Sequence, residues 1–189
     1  MQRVQVEIMG LSTSPSSGGA YALILKELHG HRRLPIIIGA FEAQAIALEM
    51  EHIKPPRPMT HDLLRSVIDA FGATVAEVTI SELRDGTFYA RISIDAVDGG
   101  EVDSRPSDAV ALAVRYGVPI YVSEEVLEEA GYIPEEEEDD EPAAAAEHVA
   151  TRERQLEQLQ EQLQAAIQKE DYEEAARVRD VIRNIQAGD

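Results

Sequence analysis

An unbroken acidic run does most to limit what this chain can fold into. Residues 134–147 carry eight carboxylates and no basic side chain: seven run unbroken from Glu135 to Glu141, and Glu147 follows Pro142 and four alanines. Such a stretch repels itself and offers no apolar surface to bury, so it reads as a solvated linker with no specific partner. It divides the chain into a domain over residues 1–133 and an appendage over residues 148–189.

The first piece has the length of one ordinary domain. Hydrophobic residues make up 44% of the chain, but with no Trp and three Phe the core must be aliphatic. The absence of cysteine excludes a disulfide framework, a thiolate metal site and a cysteine nucleophile. The first eleven residues alternate instead of running basic then apolar, so they do not form a signal peptide. No stretch approaches the roughly 20 apolar residues that cross a bilayer. A cytoplasmic location away from membranes is therefore expected.

The net charge of −19 opposes nucleic-acid binding, because phosphate contact depends on Lys and Arg. Its distribution weakens that opposition. Residues 1–133 hold 19 acids against 11 bases, a net of −8, and residues 148–189 hold nine against six, a net of −3. The remaining eight charges sit in the acidic run. No segment is basic, so a nucleic-acid contact needs bridging cations or a focused arginine patch.

Hydrophobic patterning predicts an α+β fold, mainly an antiparallel sheet with packed helices. Val4, Val6 and Ile8 give residues 3–11 a strand's period of two. A Ser/Gly/Pro loop follows over residues 12–19, then strands at 20–28 and 34–38 around a polar turn. Residues 41–51 read as a helix, and three prolines rigidify 54–58. Thr60 is expected to cap a helix with Leu63, Leu64, Val67, Ile68 and Phe71 on one stripe, stopped by Gly72. Asp85-Gly86 signals a hairpin between strands at 74–83 and 87–96. After Asp98-Gly99-Gly100 come a short strand near Val102, a helix capped by Ser107 and ended by Gly117, a brief strand at 119–122, and a short helix from Ser123 to Gly131.

Beyond the acidic run, Val149, Leu156, Leu159, Leu163 and Ala166 form a heptad-like stripe, and Ala175, Val178, Ile182 and Ile185 form a second. A turn near residues 169–171 makes them an antiparallel helical hairpin, too small to be stable alone. There is also an internal echo. Glu42 and Asp108 each open an Ala-rich helix after a set of strands, as if the domain held two related halves with their acidic helix ends brought together. As first-turn acids each also stabilises its own helix by about 0.3–1 kcal/mol, which alone explains them.

Four segments resemble the bifunctional nuclease family. They are residues 34–39 running into Phe41-Glu42-Ala43-Gln44-Ala45; Arg57-Pro58 with Thr60-His61-Asp62-Leu63-Leu64; Asp85-Gly86-Thr87-Phe88-Tyr89-Ala90; and Arg105-Pro106-Ser107-Asp108-Ala109. The resemblance covers residues 3–133. It implies a compact α+β domain, often a homo-oligomer, acting on DNA and RNA. Residues 168–180, with Glu170-Asp171-Tyr172-Glu173-Glu174-Ala175-Ala176-Arg177, resemble the UVR motif of bacterial excision-repair proteins. That likeness implies a hairpin that docks a partner protein, in DNA repair or chaperone-associated proteolysis, and carries no chemistry.

Each candidate residue has a chemical and a structural reading. His61 can act as a base or metal ligand and Asp62 as a metal ligand; equally, Asp62 complements its helix dipole and His61 is a surface residue. Arg105 can hold a phosphate while Asp108 and Glu42 bind a cation; equally, Arg105 and Asp108 form an ion pair that locks a loop. Arg57 can contact phosphate or only cap carbonyls. Either Phe88 or Tyr89 can stack on a base while the other enters the core. Asp85 belongs to its turn, and His29 and His31 are read as solvated. Two functional readings result. In the first the chain is a nuclease, with Asp108, Asp62 and Glu42 holding Mg²⁺ or Mn²⁺, His61 assisting, and Arg105 or Arg57 offsetting phosphate charge. In the second it is a non-catalytic regulatory protein that recruits a partner through residues 148–189.

Overall fold

The computed structural model describes residues 2–13 and 20–134, with Leu159, Gln162, residues 177–179 and Val181 beyond them. Its centre is a seven-stranded sheet in the order β3-β2-β1-β7-β4-β5-β6. The strands are β1 (Arg3–Thr13), β2 (Tyr21–Glu27), β3 (Arg33–Ile38), β4 (Thr74–Arg84), β5 (Thr87–Asp95), β6 (Glu101–Ser104) and β7 (Ile120–Ser123). Every pairing is antiparallel except β4 with β7. The helices are α1 (Ala40–Met50), α2 (Thr60–Ala70), α3 (Pro106–Tyr116) and α4 (Glu124–Ala130). The α+β, mainly antiparallel expectation is met.

The alternation in the sequence sets which side chains enter the core. Val6, Leu23, Leu25, Val78, Ile80 and Ile92 project to the helix-bearing face and bury with Ile46, Leu112 and Leu127 in one aliphatic cluster. Ala22 and Ile24, one residue out of phase, bury on the opposite face beside Met9, Ile37 and Tyr132. Such two-sided burial makes β2 apolar along most of its length. Asp85 and Gly86, with φ of 52° and 72°, make the two-residue turn that the right-handed twist of β4 and β5 requires.

The two halves are related in topology. Each runs through three antiparallel strands into an Ala-rich helix, and β1 and β4 flank β7 with opposite directions relative to it. Helices α1 and α3 pack on one another. Their buried residues include Ala43 and Ala45 on one and Ala109, Ala111 and Ala113 on the other. Small side chains let two backbones approach closely, and that approach brings the two helix starts together.

Helix ends differ in detail from expectation. Arg105, not Ser107, is the N-cap of α3; Pro106 takes the first helical position, where its missing N–H costs nothing, and Ser107 is buried inside the first turn. Met59, not Thr60, caps α2, and the Asp62 carboxylate accepts its backbone N–H at 2.8 Å. Ser123 caps α4 as expected, accepting from Val126 N–H. Of the apolar stripe of α2 only Ile68 packs against the core, while Leu63, Leu64, Val67 and Phe71 are exposed and no residue of the helix is fully buried. Phe88 and Tyr89 are both half-buried, and Tyr89 stacks under the Arg84 guanidinium. Among the described residues no helix is long and apolar enough to cross a membrane.

The expected linker lies outside the described residues apart from Pro134, and so does the hairpin as a unit. Its six described positions are helical, with Val178 buried and Leu159 half-buried.

Candidate active site

Asp108 lies in the first turn of α3, where the N-cap Arg105 sits three residues before it. Arg105 bonds Asp108 with both Nε and Nη2, at 2.7 and 3.1 Å. Its Nη1 reaches Glu42 in the first turn of α1 at 3.0 Å. One guanidinium thus ties together the acidic starts of the two Ala-rich helices. Gly39, the N-cap of α1, leaves room for Glu42 to fold back: a Cβ there would come within 2.3 Å of its carboxylate. From the first turn of α2, His61 Nε2 meets Asp108 Oδ1 at 3.1 Å. Three helix starts therefore converge in the chain Glu42–Arg105–Asp108–His61.

Burial pushes the Asp108 carboxyl up, but the hydrogen bonds from Arg105 and His61 outweigh this and hold it below the ordinary carboxylate range. The same contact with Asp108 raises Arg105. Asp108 is therefore an anion at neutral pH. Arg105 itself is 65% exposed, so incoming anions can reach it.

Asp62 does not join this group. It turns to Arg115 in the last turn of α3, bonding Nε at 2.7 Å, and Arg115 also donates to Ala111 O at 2.8 Å. Arg115 is almost wholly buried, with 3% of its side chain exposed. Burial raises the Asp62 carboxyl, and the bonds from Arg115 and from Met59 N–H reverse that into a net lowering. The contacts continue along α2. Arg65 donates to Arg115 O at 2.6 Å, and the Tyr116 hydroxyl donates to Asp69 at 2.8 Å and lies 3.2 Å from Arg65 O. Burial and the Asp69 contact push the Tyr116 hydroxyl up to about 12.

Of the three carboxylates expected to share a metal, Glu42 and Asp108 meet on Arg105 and Asp62 stands apart on Arg115. Among the described residues no group of three or more His, Asp or Glu lies at metal-binding spacing. Cations are held at about 2.0–2.6 Å by oxygen, so a cation shared by Glu42 and Asp108 would need the place Arg105 now fills. Arg57 is exposed in the loop before α2 and has no ion-pair partner among the described residues. The structure adds Arg115, which the sequence did not single out. It stands seven residues after Asp108, two turns along the same face of α3, and that spacing was the available signal.

Clefts of about 600, 520 and 330 Å³ open elsewhere on the domain, and none is lined by Glu42, His61, Arg105 or Asp108. Arg105 is the exposed member of the cluster at 65%, while Asp108, Glu42 and His61 are 28, 21 and 12% exposed.

Comparison with known proteins defines the class. Residues 23–135 match the bifunctional nuclease domain, and residues 153–188 match the UvrB/uvrC motif. The chain belongs to the bifunctional nuclease domain family. An uncharacterized protein of Mycobacterium tuberculosis is 54% identical over 115 residues, covering 60% of this chain and 69% of its own length. Bifunctional nuclease 1 of Oryza sativa is 28% identical over 116 residues, and that of Arabidopsis thaliana 27% over 108. These matches cover 59% and 54% of this chain but only 35% and 33% of the plant proteins.

Proposed function

We propose that this chain is a nuclease that hydrolyses phosphodiester bonds in DNA and RNA, working at the Glu42–Arg105–Asp108–His61 cluster. The observation that carries the reading is Arg105, an exposed guanidinium held in a planar bidentate grip by Asp108 in a chain that matches nuclease relatives. A guanidinium that fits a carboxylate bidentately fits a phosphate in the same way. On substrate binding it exchanges part of its carboxylate contact for a phosphate oxygen, where it offsets the charge that grows during attack. With the Nε2 proton of His61 directed at Asp108, Nδ1 is the basic nitrogen and can take the proton from the attacking water. Asp108 then orients the ring and stabilises the imidazolium that forms.

A divalent cation fits this arrangement only after Arg105 has left the pair of carboxylates; Glu42 and Asp108 would then hold it, with His61 beside them. Arg57, exposed near the same helix start, is a second phosphate contact. Residues 153–188 supply a protein-docking element, as the motif match suggests. The test is a nuclease assay on highly purified protein in Mg²⁺, Mn²⁺ or EDTA, with Asp108→Asn and Arg105→Ala beside the wild type. Loss of at least about 100-fold in both variants is expected, the size of effect for a positioned acid–base group or charge stabiliser. Activity that copurifies unchanged with Asp108→Asn would refute the assignment.

A further inference from the structure

Beside the candidate active site a cleft of about 520 Å³ opens between the end of α1, the loop after it and α2. Pockets for small organic ligands span roughly 300–1,000 Å³. Met59 and Asp62 line the cleft, one on either side of His61 in the chain. On α3 it is lined by Arg115, seven residues after Asp108 and so about 10 Å along the helix. That is the rise of about three stacked nucleotides at 3.4 Å each.

One wall is apolar and includes Leu48, Ile53 and Pro58; the other carries Lys54, Arg65 and Arg115. Three cations meet here in a domain of net charge −8. Of the carboxylates in the lining, Asp62 is engaged by Arg115 and Asp69 by Arg65 and Tyr116. The arginines keep donors in reserve. Arg115 is the one buried residue of the lining, with 3% of its side chain exposed. Its Nε and Nη1 bond Asp62 and Ala111 O, and its Nη2 has no hydrogen-bond partner among the described residues. Buried polar groups are ordinarily satisfied, so this Nη2 is a donor for something the chain itself does not supply. Arg65 spends Nη1 on Arg115 O and likewise leaves Nη2. Lys54 is exposed without an ion-pair partner among the described residues, on a loop stiffened by Pro55, Pro56 and Pro58.

We propose that this cleft is a subsite for one nucleoside monophosphate unit of the substrate strand, about three positions from the bond cut at the Asp108 cluster. Its place in a strand rests on the nuclease reading above. Lys54 and the Nη2 groups of Arg65 and Arg115 take the phosphate, and the base lies on the Ile53 and Pro58 wall. Glu49, an acceptor only, suits a sugar hydroxyl or an amine of the base. Contact through the face of the base is tolerant of sequence, in keeping with action on both DNA and RNA.

Equilibrium dialysis of the full chain against radiolabelled adenosine 5′-monophosphate in EDTA tests the subsite without recourse to nuclease activity. Saturable binding is expected, weakened about 10-fold or more by Lys54→Gln and by Arg65→Gln, as for loss of a charge-assisted bond. Both variants should keep the wild-type circular dichroism spectrum, since Lys54 is exposed and Gln retains a donor for Arg115 O. A single-stranded oligonucleotide of about six nucleotides, long enough to span both sites, should displace the nucleotide, whereas equimolar inorganic phosphate should not. No saturable binding up to about 10 mM, or binding indifferent to both substitutions, would overturn the subsite even in an active nuclease. A nucleotide that no oligonucleotide displaces would assign the cleft to a soluble ligand and overturn its place in the strand. Binding with the expected losses in a chain that hydrolyses nothing would support the subsite and sink only the nuclease reading.

Discussion

Replacing Arg115 by Met tests how α2 is attached. The substitution keeps the length and apolar stem of the side chain but removes the guanidinium that bonds Asp62 at 2.7 Å. Breaking a fully buried pair by deleting one partner costs about 3–5 kcal/mol, because the other charge is left without compensation. Asp62 retains 28% side-chain exposure and the Met59 N–H, so water and that bond recover part of the loss. The expected destabilisation is about 2 kcal/mol, the level of a charged hydrogen bond lost at a partly buried site, and urea unfolding monitored by circular dichroism at pH 7 would measure it. The sign of its pH dependence is also fixed. In the wild type the Asp62 pKa is lowered, so its contribution is present above the unfolded carboxylate range and is lost as pH falls through the folded value. In Arg115→Met the main interaction that lowers Asp62 is gone, so the deficit should shrink as pH falls below about 4, where unfolded carboxylates protonate, toward the folded value of the wild type. A double-mutant cycle with Asp62→Asn should show coupling of about 1 kcal/mol or more. Additive effects, or a deficit that grows on acidification, would refute the reasoning.

Other expectations follow from the same contacts. Leu112→Ala, in the α3 face that buries against the sheet, should cost about 2–5 kcal/mol in urea unfolding. Gly117→Ala forces a side chain into a φ of 64° at the end of α3 and should cost about 1 kcal/mol by the same measurement. Asp108→Asn should remove part of the acid lability. The lowered pKa of Asp108 means that its contribution disappears as pH falls below about 4, so the variant's stability should decline less between pH 5 and pH 3 than that of the wild type. At a fixed pH the NMR chemical shifts of the His61 ring should move in Asp108→Asn while those of His29 and His31 stay in place, since His61 alone of these three touches that carboxylate.

The strands were legible because their alternation follows directly from the pleat: Val4, Val6 and Ile8 could face only one way once a core existed. The turn at Asp85 and Gly86 and the helix stops at Gly72 and Gly117 were equally readable, being settled by the backbone freedom of single residues. Helix starts were less so. A serine or threonine looks like a cap from its type alone, yet Pro106 moved the start of α3 back to Arg105, and Asp62 bonded Met59 in a way that left Thr60 inside the helix.

By itself the sequence determined the α+β class, the family, and the paired acidic starts of two Ala-rich helices. These depend on local periodicity, composition and motif, which neighbours along the chain carry. Only the tertiary structure decided which charges meet. It took Asp62 away from the expected carboxylate set and gave it to the buried Arg115, and it placed Arg105 between Glu42 and Asp108. It also turned the apolar stripe of α2 outward. A helical wheel shows that a stripe exists but not which side faces the domain. Here the orientation goes with a row of polar groups on α3 and Tyr116 that bond the polar face of α2 and leave Leu63, Val67 and Phe71 exposed.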